Sequence, residues 1–457
     1  MSGGALATGP SDAELDERFG PVIEEIARGA VARDAARRLP YEEVKALRAA
    51  GFGRLRVPVA YGGFGVSLPR FFRLLIALAE ADSNLPQLWR GHIGFVESRL
   101  VHEDAARAER WLRRVAAGAV VGNAQSELGN GSFWDSATTL RPAGRDEEAG
   151  WSLSGTKFYS TGSLFADWVQ TTATVDAERG AHVLVPAEAP GVRRIDDWDG
   201  FGQRLTGSGT TVFDEVRIAS EDVEVFPKDT PRGTTLHAVF QLVHLATLAG
   251  IARAAVRDIV AFVNQRTRNL ANPAYPEPRR DPQVQQVVGR VRAKSYGASA
   301  TTLAAVDEVD RAHRAQLAGR ADPELFAAAD LAVFSAQSAV IDLVLGLTTE
   351  IFEVGGASAV TGRFRLDRHW RNARTLASHN PAIYRQTIVG DAALNGTAPS
   401  AWVTRAHAAA RGNRAAHADR KDHADHTDRA AHADHADHAD RADHADRTRA
   451  ERQESGR

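Results

Sequence analysis

Apolar residues recur at helical spacing through the first part of the chain. Ser11 followed by Asp12 and Glu14 is a helix N-terminus signature, and apolar positions then recur from Leu15 to Ile26. The same spacing predicts further helices over 41–50, 67–81, 84–101 and 104–117. We therefore predict an all-α domain over residues 11–118.

The period changes to alternation after this region. Residues 151–154 alternate between apolar and polar, and segments 169–174 and 210–218 are rich in β-branched residues. The charged segment 144–150 is typical of a hairpin tip. We therefore predict a β domain over residues 119–232.

Helical periodicity then returns in runs long enough for a bundle. These runs cover 236–269, 284–317, 323–354 and, after a Gly-Gly break at 355–356, 382–394. We predict a C-terminal four-helix bundle over residues 233–398.

Beyond this bundle the composition becomes a low-complexity mixture of Ala, His, Asp and Arg over residues 399–457. This tail cannot bury a core, so we expect it to be disordered or loosely helical. Its repeats include His432, His435, His438 and His444. Clustered histidines could bind a divalent metal, but a solvated extension without a chemical role is the favoured interpretation, and no metal site is predicted.

Charge and composition exclude several function classes. The 457 residues include 56 Lys and Arg against 58 Asp and Glu, so there is no broad basic surface for nucleic acid or an anionic membrane. Absence of cysteine excludes disulfides and thiolate chemistry. The start of the chain has no signal pattern, and the apolar stretch 331–347 is interrupted by Ser335 and Asp342. We expect a cytoplasmic protein that acts on small molecules.

The stretch from Gly122 to Trp168 contains the densest set of small polar residues. Gly129 and Gly131 flank an amide, and Gly162 lies between Thr161 and Ser163. Backbone N–H groups and short hydroxyls in such turns can closely approach a flat polar ligand such as a flavin. Ordinary glycine-rich turns in a β domain are the alternative.

Three segments of this stretch carry a family resemblance. Ser126-Glu127, the turn 129–132 and the segment 157–162 (Lys-Phe-Tyr-Ser-Thr-Gly) resemble the flavin-binding middle domain of the acyl-CoA dehydrogenase superfamily. The resemblance extends from about Asp12 to Leu394. It implies an α+β multidomain fold with an α-helical N-terminal domain, a β-barrel-like middle domain and a C-terminal four-helix bundle.

The catalytic base of the dehydrogenases is missing from this sequence. A dehydrogenase needs a carboxylate to remove the proton next to the thioester carbonyl. Aligned on residues 371–374, the family's Glu position falls on Asn380, and an amide cannot serve as that base. Segment 240–250, which carries the Glu in other members, contains no acidic residue.

His379, together with His92 and Ser163, instead resembles the flavin-dependent monooxygenases of this fold, including the dibenzothiophene monooxygenases and sulfur-acquisition oxidoreductases. The resemblance implies that reduced flavin, FMN in preference to FAD, reacts with O2 to give a C4a-(hydro)peroxyflavin, which oxygenates a small organosulfur compound or an amine. His92 and His379 would donate to the peroxide, and Ser163 would bond flavin N5 or the peroxide.

The resemblance also implies the cofactor-binding residues and the assembly. The flavin would contact Asn123, Ser126, Gly129, Gly131, Tyr159, Thr161 and Ser163. Arg266 or Arg268 would bind the phosphate, although either could be a solvated charge at a helix end. No Gly-x-Gly-x-x-Gly motif follows a predicted strand, which favours a separate NAD(P)H-dependent flavin reductase as the source of electrons. A homotetramer is expected.

Two other functions remain open at this point. One is an acyl-CoA dehydrogenase or oxidase with an atypical base. The other is a degenerate homologue that binds flavin or a partner without catalysis.

Overall fold

The structure is a computed structural model that describes residues 9–128, 136–144, 150–228, 235–269 and 272–402. Contacts divide the chain into one unit over 1–399 and a second over 400–457, of which only 400–402 are described. Gly129, Gly131 and the tail histidines therefore lie outside the described residues.

Five helices form the N-terminal part, close to the predicted positions. They are α1 (Asp12–Ala36), α2 (Tyr41–Ala50), α3 (Leu68–Ala81), α4 (Asn84–Leu100) and α5 (Ala105–Ala116). The predicted start of α1 is a capping box, because the Ser11 hydroxyl accepts from the Glu14 N–H while the Glu14 carboxylate accepts from the Ser11 N–H. Helix α2 ends at Gly51, whose φ of 89° is left-handed.

Eight described strands form one mixed sheet after these helices. They are β1 (Val121–Ala124), β2 (Thr139–Pro142), β3 (Trp151–Lys157), β4 (Trp168–Thr174), β5 (Arg179–Pro186), β6 (Val192–Ile195), β7 (Thr210–Ile218) and β8 (Val223–Pro227). The order is β6-β7-β3-β2-β4-β5-β8, and β1 pairs in parallel with β4. Leu153, Val169 and Val183 are fully buried in the core of this sheet.

Helices return in the C-terminal part. They are α6 (Leu236–Gln265), α7 (Pro282–Leu317), α8 (Pro323–Glu350), α9 (Asp367–His379) and α10 (Ala382–Asn395). Helices followed by a sheet and then by helices confirm the predicted α+β class. The domain limits 11–118, 119–232, 233–398 and 399–457 remain predictions.

Helix α9 was not predicted. Its buried face carries Arg368, His369 and Asn372 in the first turns and apolar residues only from Ala373 onward, so the apolar repeat is too short to reveal the helix in the sequence. This helix ends at His379 and positions that residue.

Helices α6 and α8 are long and apolar enough to cross a membrane by length and composition. The protein itself buries 89% of the apolar window of α6 but only 50% of that of α8. A buried core helix passes the same test, so α6 needs no lipid to cover it.

Candidate functional site

A cavity of about 850 Å³ opens between the sheet and the helices. Two sets of residues line it, which we call the β wall and the helical wall. The β wall consists of Asn123, Gln125, Ser126, Tyr159, Thr161, Trp198, Gly200, Phe201, Gln203, Thr206 and Ser208. The helical wall consists of Gln87, Arg90, His237, Phe240, Gln241, Thr375, Leu376, Ser378, His379 and Asn380. None of these lining residues is an Asp or a Glu.

The hydroxyls of the β wall are bonded to one another. Thr161 Oγ1 lies 2.8 Å from Ser208 Oγ, which lies 2.7 Å from Thr206 Oγ1. Thr206 Oγ1 in turn donates to the Gln203 carbonyl over 2.9 Å. This chain of bonds holds the hydroxyls in place before any ligand binds.

A buried ion pair supports the first loop of the β wall. Lys157, with a fully buried side chain, donates from Nζ to the Glu127 carboxylate over 2.6 Å. Burial alone would raise the pKa of Glu127, but the bonds from Lys157, Ser136 and Thr138 outweigh burial and lower it to about 2. The Ser126-Glu127 and Lys157 motifs therefore hold together the loop that presents Ser126.

Two residues of the β wall adopt left-handed backbone conformations. Tyr159 has φ of 56° and Gln203 has φ of 52°, values that L side chains adopt at a cost of roughly 1–3 kcal/mol. Gln203 is held by its N–H, which donates to Asn372 Oδ1 of α9 over 2.7 Å. Tyr159 packs edge-on against Trp198, so an aromatic lip flanks the hydroxyls. Strain at both positions shapes a flat slot.

The helical wall contains a cation without a carboxylate partner. Arg90 of α4 donates from Nε to the Phe240 carbonyl over 3.1 Å, and its guanidinium lies 4.6 Å from the Phe240 ring centroid. Burial lowers the pKa of Arg90 to about 10, so it stays charged at neutral pH. Within the described part of the chain, no carboxylate forms an ion pair with it.

Histidines surround this cation. Burial, and then Arg90, lowers the pKa of His379 to about 4. The ring of His379 lies 4.5 Å from that of His244, whose pKa is also lowered by burial and by Arg90. His237 accepts from Arg385 over 3.2 Å, and its pKa is lowered to about 4 by burial and by Arg385. All three imidazoles are therefore neutral at neutral pH.

Two buried nitrogen atoms on this side have no partner among the described residues. Gln241 Nε2 and His244 Nε2 are both buried without a hydrogen bond. Because an unpaired buried polar group costs free energy, such atoms mark places where a ligand or water completes the bonding.

Five of the predicted site residues come together in this cavity. They are Asn123, Ser126, Tyr159, Thr161 and His379. Asn380 also lines it, with the amide where the dehydrogenases carry their Glu, and its backbone carbonyl accepts from Gln337 over 2.8 Å. His92, Ser163, Arg266 and Arg268 are not among the lining residues.

His92 is held by the backbone on both sides of its ring. Its Nε2 lies 2.8 Å from the Gly53 carbonyl, and its Nδ1 accepts from the Val121 N–H over 3.1 Å. The side chain is 2% exposed, and burial lowers its pKa to about 4. In this arrangement His92 is neutral and has no free ring nitrogen for a peroxide, contrary to the expected role.

Ser163 is buried beneath β1. Its carbonyl accepts from Arg194 over 2.9 Å, and its N–H donates to Ser160. A Cβ on Gly122 would lie 2.8 Å from Ser163 Cα, so glycine at 122 allows the close approach. Gly162, with φ of 78°, turns the chain so that Thr161 faces the cavity and Ser163 does not.

Neither candidate phosphate ligand lies at the cavity of its own chain. Arg266 caps the end of α6 and donates to the Val354 carbonyl over 2.8 Å. Arg268 is exposed. Either residue could therefore bind the flavin phosphate only in the cavity of a second copy of the chain.

Sequence reasoning missed Arg90, although it chose His92 from the same helix. Positions 90 and 92 lie about 200° apart around a helix, so only one of them can face the cavity. The available signal was an arginine directly after Leu88 and Trp89, in a helix that is buried along nearly its whole length.

Comparison with known proteins places the chain in a family. Residues 20–119 match the family model for the acyl-CoA dehydrogenase N-terminal domain, and residues 242–382 match that for the acyl-CoA dehydrogenase C-terminal domain. Together the matches cover more than half of the chain. The chain belongs to the acyl-CoA dehydrogenase superfamily, as its sequence motifs predicted.

Several of its relatives are monooxygenases. Dibenzothiophene monooxygenase of Mycolicibacterium goodii is 29% identical over 385 residues, covering 80% of this chain and 90% of the relative. The probable FMNH2-dependent monooxygenase SfnC of Pseudomonas putida is 28% identical, covering 82% and 93%. The FMN-bound crystal structure of TdsC from Paenibacillus sp. A11-2 matches with a TM-score of 0.75 and 26% identity over 83% of this chain and 98% of that one. These similarities confirm the predicted fold and the predicted monooxygenase branch of the superfamily.

Proposed function

We propose that this protein is a two-component flavin-dependent monooxygenase that uses reduced FMN and O2 to oxygenate a small organosulfur compound. The observation that carries the proposal is the composition of the cavity, where His379 and Asn380 lie and where no Asp or Glu is among the lining residues. Among the described residues that line the cavity there is therefore no carboxylate to abstract a proton from a thioester substrate, while groups that bond neutral or anionic oxygen are present.

The β wall suits the ring of a flavin. Asn123 and Ser126 offer polar atoms along one edge, Thr161 offers a hydroxyl, and Tyr159 and Trp198 flank the slot with flat apolar faces. A cavity of about 850 Å³ is of the size that holds a cofactor together with a small substrate. When bound, reduced FMN would supply the electrons that activate O2 for transfer of one oxygen atom.

The helical wall supplies the groups beside the reacting atoms. Neutral His379 can donate from one ring nitrogen and accept at the other, so it can hold a proton next to an oxygen that develops negative charge. Phe240 and the aromatic lip reduce access of water, which favours transfer of oxygen to the substrate over release of hydrogen peroxide.

Electrons come from a separate NAD(P)H-dependent flavin reductase in this proposal, since the sequence lacks a dinucleotide-binding motif after a strand. The protein works in the cytoplasm as a homotetramer. Half of the apolar window of α8 is left uncovered, which supports assembly through the C-terminal helices. Arg266 or Arg268 would then bind the phosphate of a flavin in a neighbouring copy. A monomeric mass in light scattering would contradict this assembly.

Anaerobic mixing with acyl-CoA thioesters separates the proposal from the dehydrogenase alternative. The protein with oxidised FMN bound is mixed without O2 with a panel of thioesters of different chain length, and flavin absorbance is recorded. We expect the flavin to stay oxidised. Bleaching by any thioester would establish a dehydrogenase or oxidase with an atypical base, and would contradict the monooxygenase.

A further inference from the structure

Resting on that proposed function, we infer that Arg90 binds the anionic head group of the substrate, and that the substrate class is a small organic sulfinate. The inference assigns a specificity residue and a charge to the substrate.

Arg90, which is partly exposed at the cavity, differs from three arginines with little exposed surface that form ion pairs. Arg33 pairs with Asp82, Arg56 with Glu97 and Arg368 with Asp258. Desolvating a guanidinium is costly, and in these three cases a carboxylate offsets the cost. Arg90 has no such partner among the described residues, and the other described residues of the helical wall carry amides, neutral imidazoles, hydroxyls and apolar side chains but no carboxylate. An anion from outside the chain is the missing partner.

The orientation of the guanidinium is fixed from behind. The Phe240 carbonyl accepts from Nε, and the Phe240 ring lies under the guanidinium plane. The two terminal nitrogens form no hydrogen bond with any described residue. A planar fork held in this way presents parallel donors that match two oxygens on one atom. Gln241 Nε2, buried and unpaired, adds a neutral donor on the same wall.

Charge selects among the possible substrates. An amine would bring a second cation into a cavity without a lining carboxylate, and a neutral thioether would leave Arg90 unpaired. A carboxylate or sulfonate would satisfy Arg90 but would offer no sulfur lone pair to oxidise. A sulfinate carries one negative charge shared by two oxygens, and both are bonded to a sulfur that keeps a lone pair. It therefore satisfies both the cation and the proposed chemistry.

The reaction balances with the reductant and oxidant of the proposed function. The sulfinate, O2 and FMNH2 give the sulfonate, FMN and water. One S–O bond forms as the O–O bond breaks. Sulfur loses two electrons, reduced flavin supplies two electrons and two protons, and the second oxygen atom leaves as water.

The phosphate of FMN is the other anion that could pair with Arg90. However, Arg90 stacks on Phe240 and lines the same wall of the cavity as His379, and its charge also lowers the pKa of His379 and His244. It therefore lies beside the imidazoles of the reaction region, whereas a flavin phosphate is separated from the reactive ring by the ribityl chain. A cation at this place suits the substrate rather than the phosphate.

Calorimetric binding tests the inference without turnover. Methanesulfinate and its uncharged analogue dimethyl sulfone are titrated into the protein with oxidised FMN bound. The wild type should bind the sulfinate at least about 10-fold more tightly. Arg90→Gln should weaken sulfinate binding roughly 10- to 100-fold and leave sulfone binding unchanged, and Arg90→Lys should lie between. Arg292→Gln, which removes an exposed charge from α7, is the matched control and should bind like the wild type.

Two results would overturn the inference. One is equal binding of sulfinate and sulfone by the wild type. The other is that Arg90→Gln binds FMN more weakly than the wild type but binds riboflavin equally well. That result would show that Arg90 binds the phosphate of FMN. Thermal unfolding of each variant checks that it is folded, and Arg90→Lys carries the test if Arg90→Gln is not. Either failure leaves oxygen activation by reduced FMN intact, whereas failure of the proposed function would abolish oxygen activation itself.

Discussion

The two walls of the cavity differ in how their polar groups are used. On the β wall, the hydroxyls of Thr161, Ser208 and Thr206 bond to one another and to a carbonyl, and the one unpaired buried atom among its described residues is an acceptor, Gln203 Oε1. On the helical wall, Arg90 has no counter-ion and Gln241 has an unpaired donor among the described residues. Polar groups that already have hydrogen-bond partners fix the shape of the cavity, whereas polar groups without partners require a ligand that supplies the missing bonds. We propose from this difference that the β wall holds the flavin and that the helical wall contacts the substrate and the reacting oxygen.

The largest effect should come from His379 on the helical wall. His379→Ala should keep FMN affinity nearly unchanged and lower substrate oxygenation roughly 10²- to 10⁴-fold, with more hydrogen peroxide released. His379→Asn should recover little, because an amide cannot change its protonation state. Coupled oxygenation and peroxide assays measure both. If the two variants instead lose thermal stability and FMN affinity together, while the ratio of oxygenated product to hydrogen peroxide stays at the wild-type value, His379 is a structural residue.

The ion pair beneath the β wall should have a large effect on stability. Lys157→Met leaves the Glu127 carboxylate buried without its cation, which should lower the free energy of unfolding by about 3–5 kcal/mol. Arg113→Ala is the control, because its pair with Glu109 is exposed and should contribute less than about 0.5 kcal/mol. Denaturant unfolding monitors both variants. Equal small losses would show that the pair does not support the wall.

Acid should destabilise the fold through His92, outside both walls. The pKa of His92 is about 4 in the folded state and about 6.5 when unfolded, so the unfolded state binds more protons between these values. The unfolding free energy should therefore be constant above pH 6.5 and fall as the pH drops through 4, with His92 contributing roughly 3 kcal/mol. His92→Gln should flatten this dependence.

The same variant tests the placement of His92. Because His92 does not face the cavity, His92→Gln should oxygenate substrate at the wild-type rate per folded molecule. If His92→Gln released more hydrogen peroxide than the wild type at unchanged stability, His92 would have a role in the reaction.

The smallest effect should come from the hydroxyl chain of the β wall. Thr161→Val keeps the shape of the side chain but removes a bond worth about 1 kcal/mol, so FMN affinity should fall roughly 5-fold with coupling unchanged. Thr161→Ser should retain the affinity. Fluorescence titration of FMN measures both, and a selective loss of coupling in Thr161→Val would place chemistry on the β wall.

The fold was predictable because its elements carry regular periods and clear caps, as at Ser11. The site was predictable where a motif coincides with the cavity, as at Thr161 and His379. Residues 92 and 163 were assigned to the cavity because the sequence resembles that of the family. The direction of the His92 side chain, however, depends on its angular position around α4, and that of Ser163 depends on the turn at Gly162. Arg90 was not found because its importance lies in the lack of a nearby carboxylate, which is a property of tertiary packing.

Stopped-flow mixing of the protein with reduced FMN and O2 tests the central claim most directly. We predict that the oxygen adduct of the bound flavin, followed by its near-ultraviolet absorbance, has a longer lifetime than the adduct of free flavin. Addition of a sulfinate should shorten the lifetime of the bound adduct and yield the sulfonate. Oxidation of the bound flavin as fast as that of free flavin, with hydrogen peroxide as the product and no effect of sulfur compounds, would contradict the account.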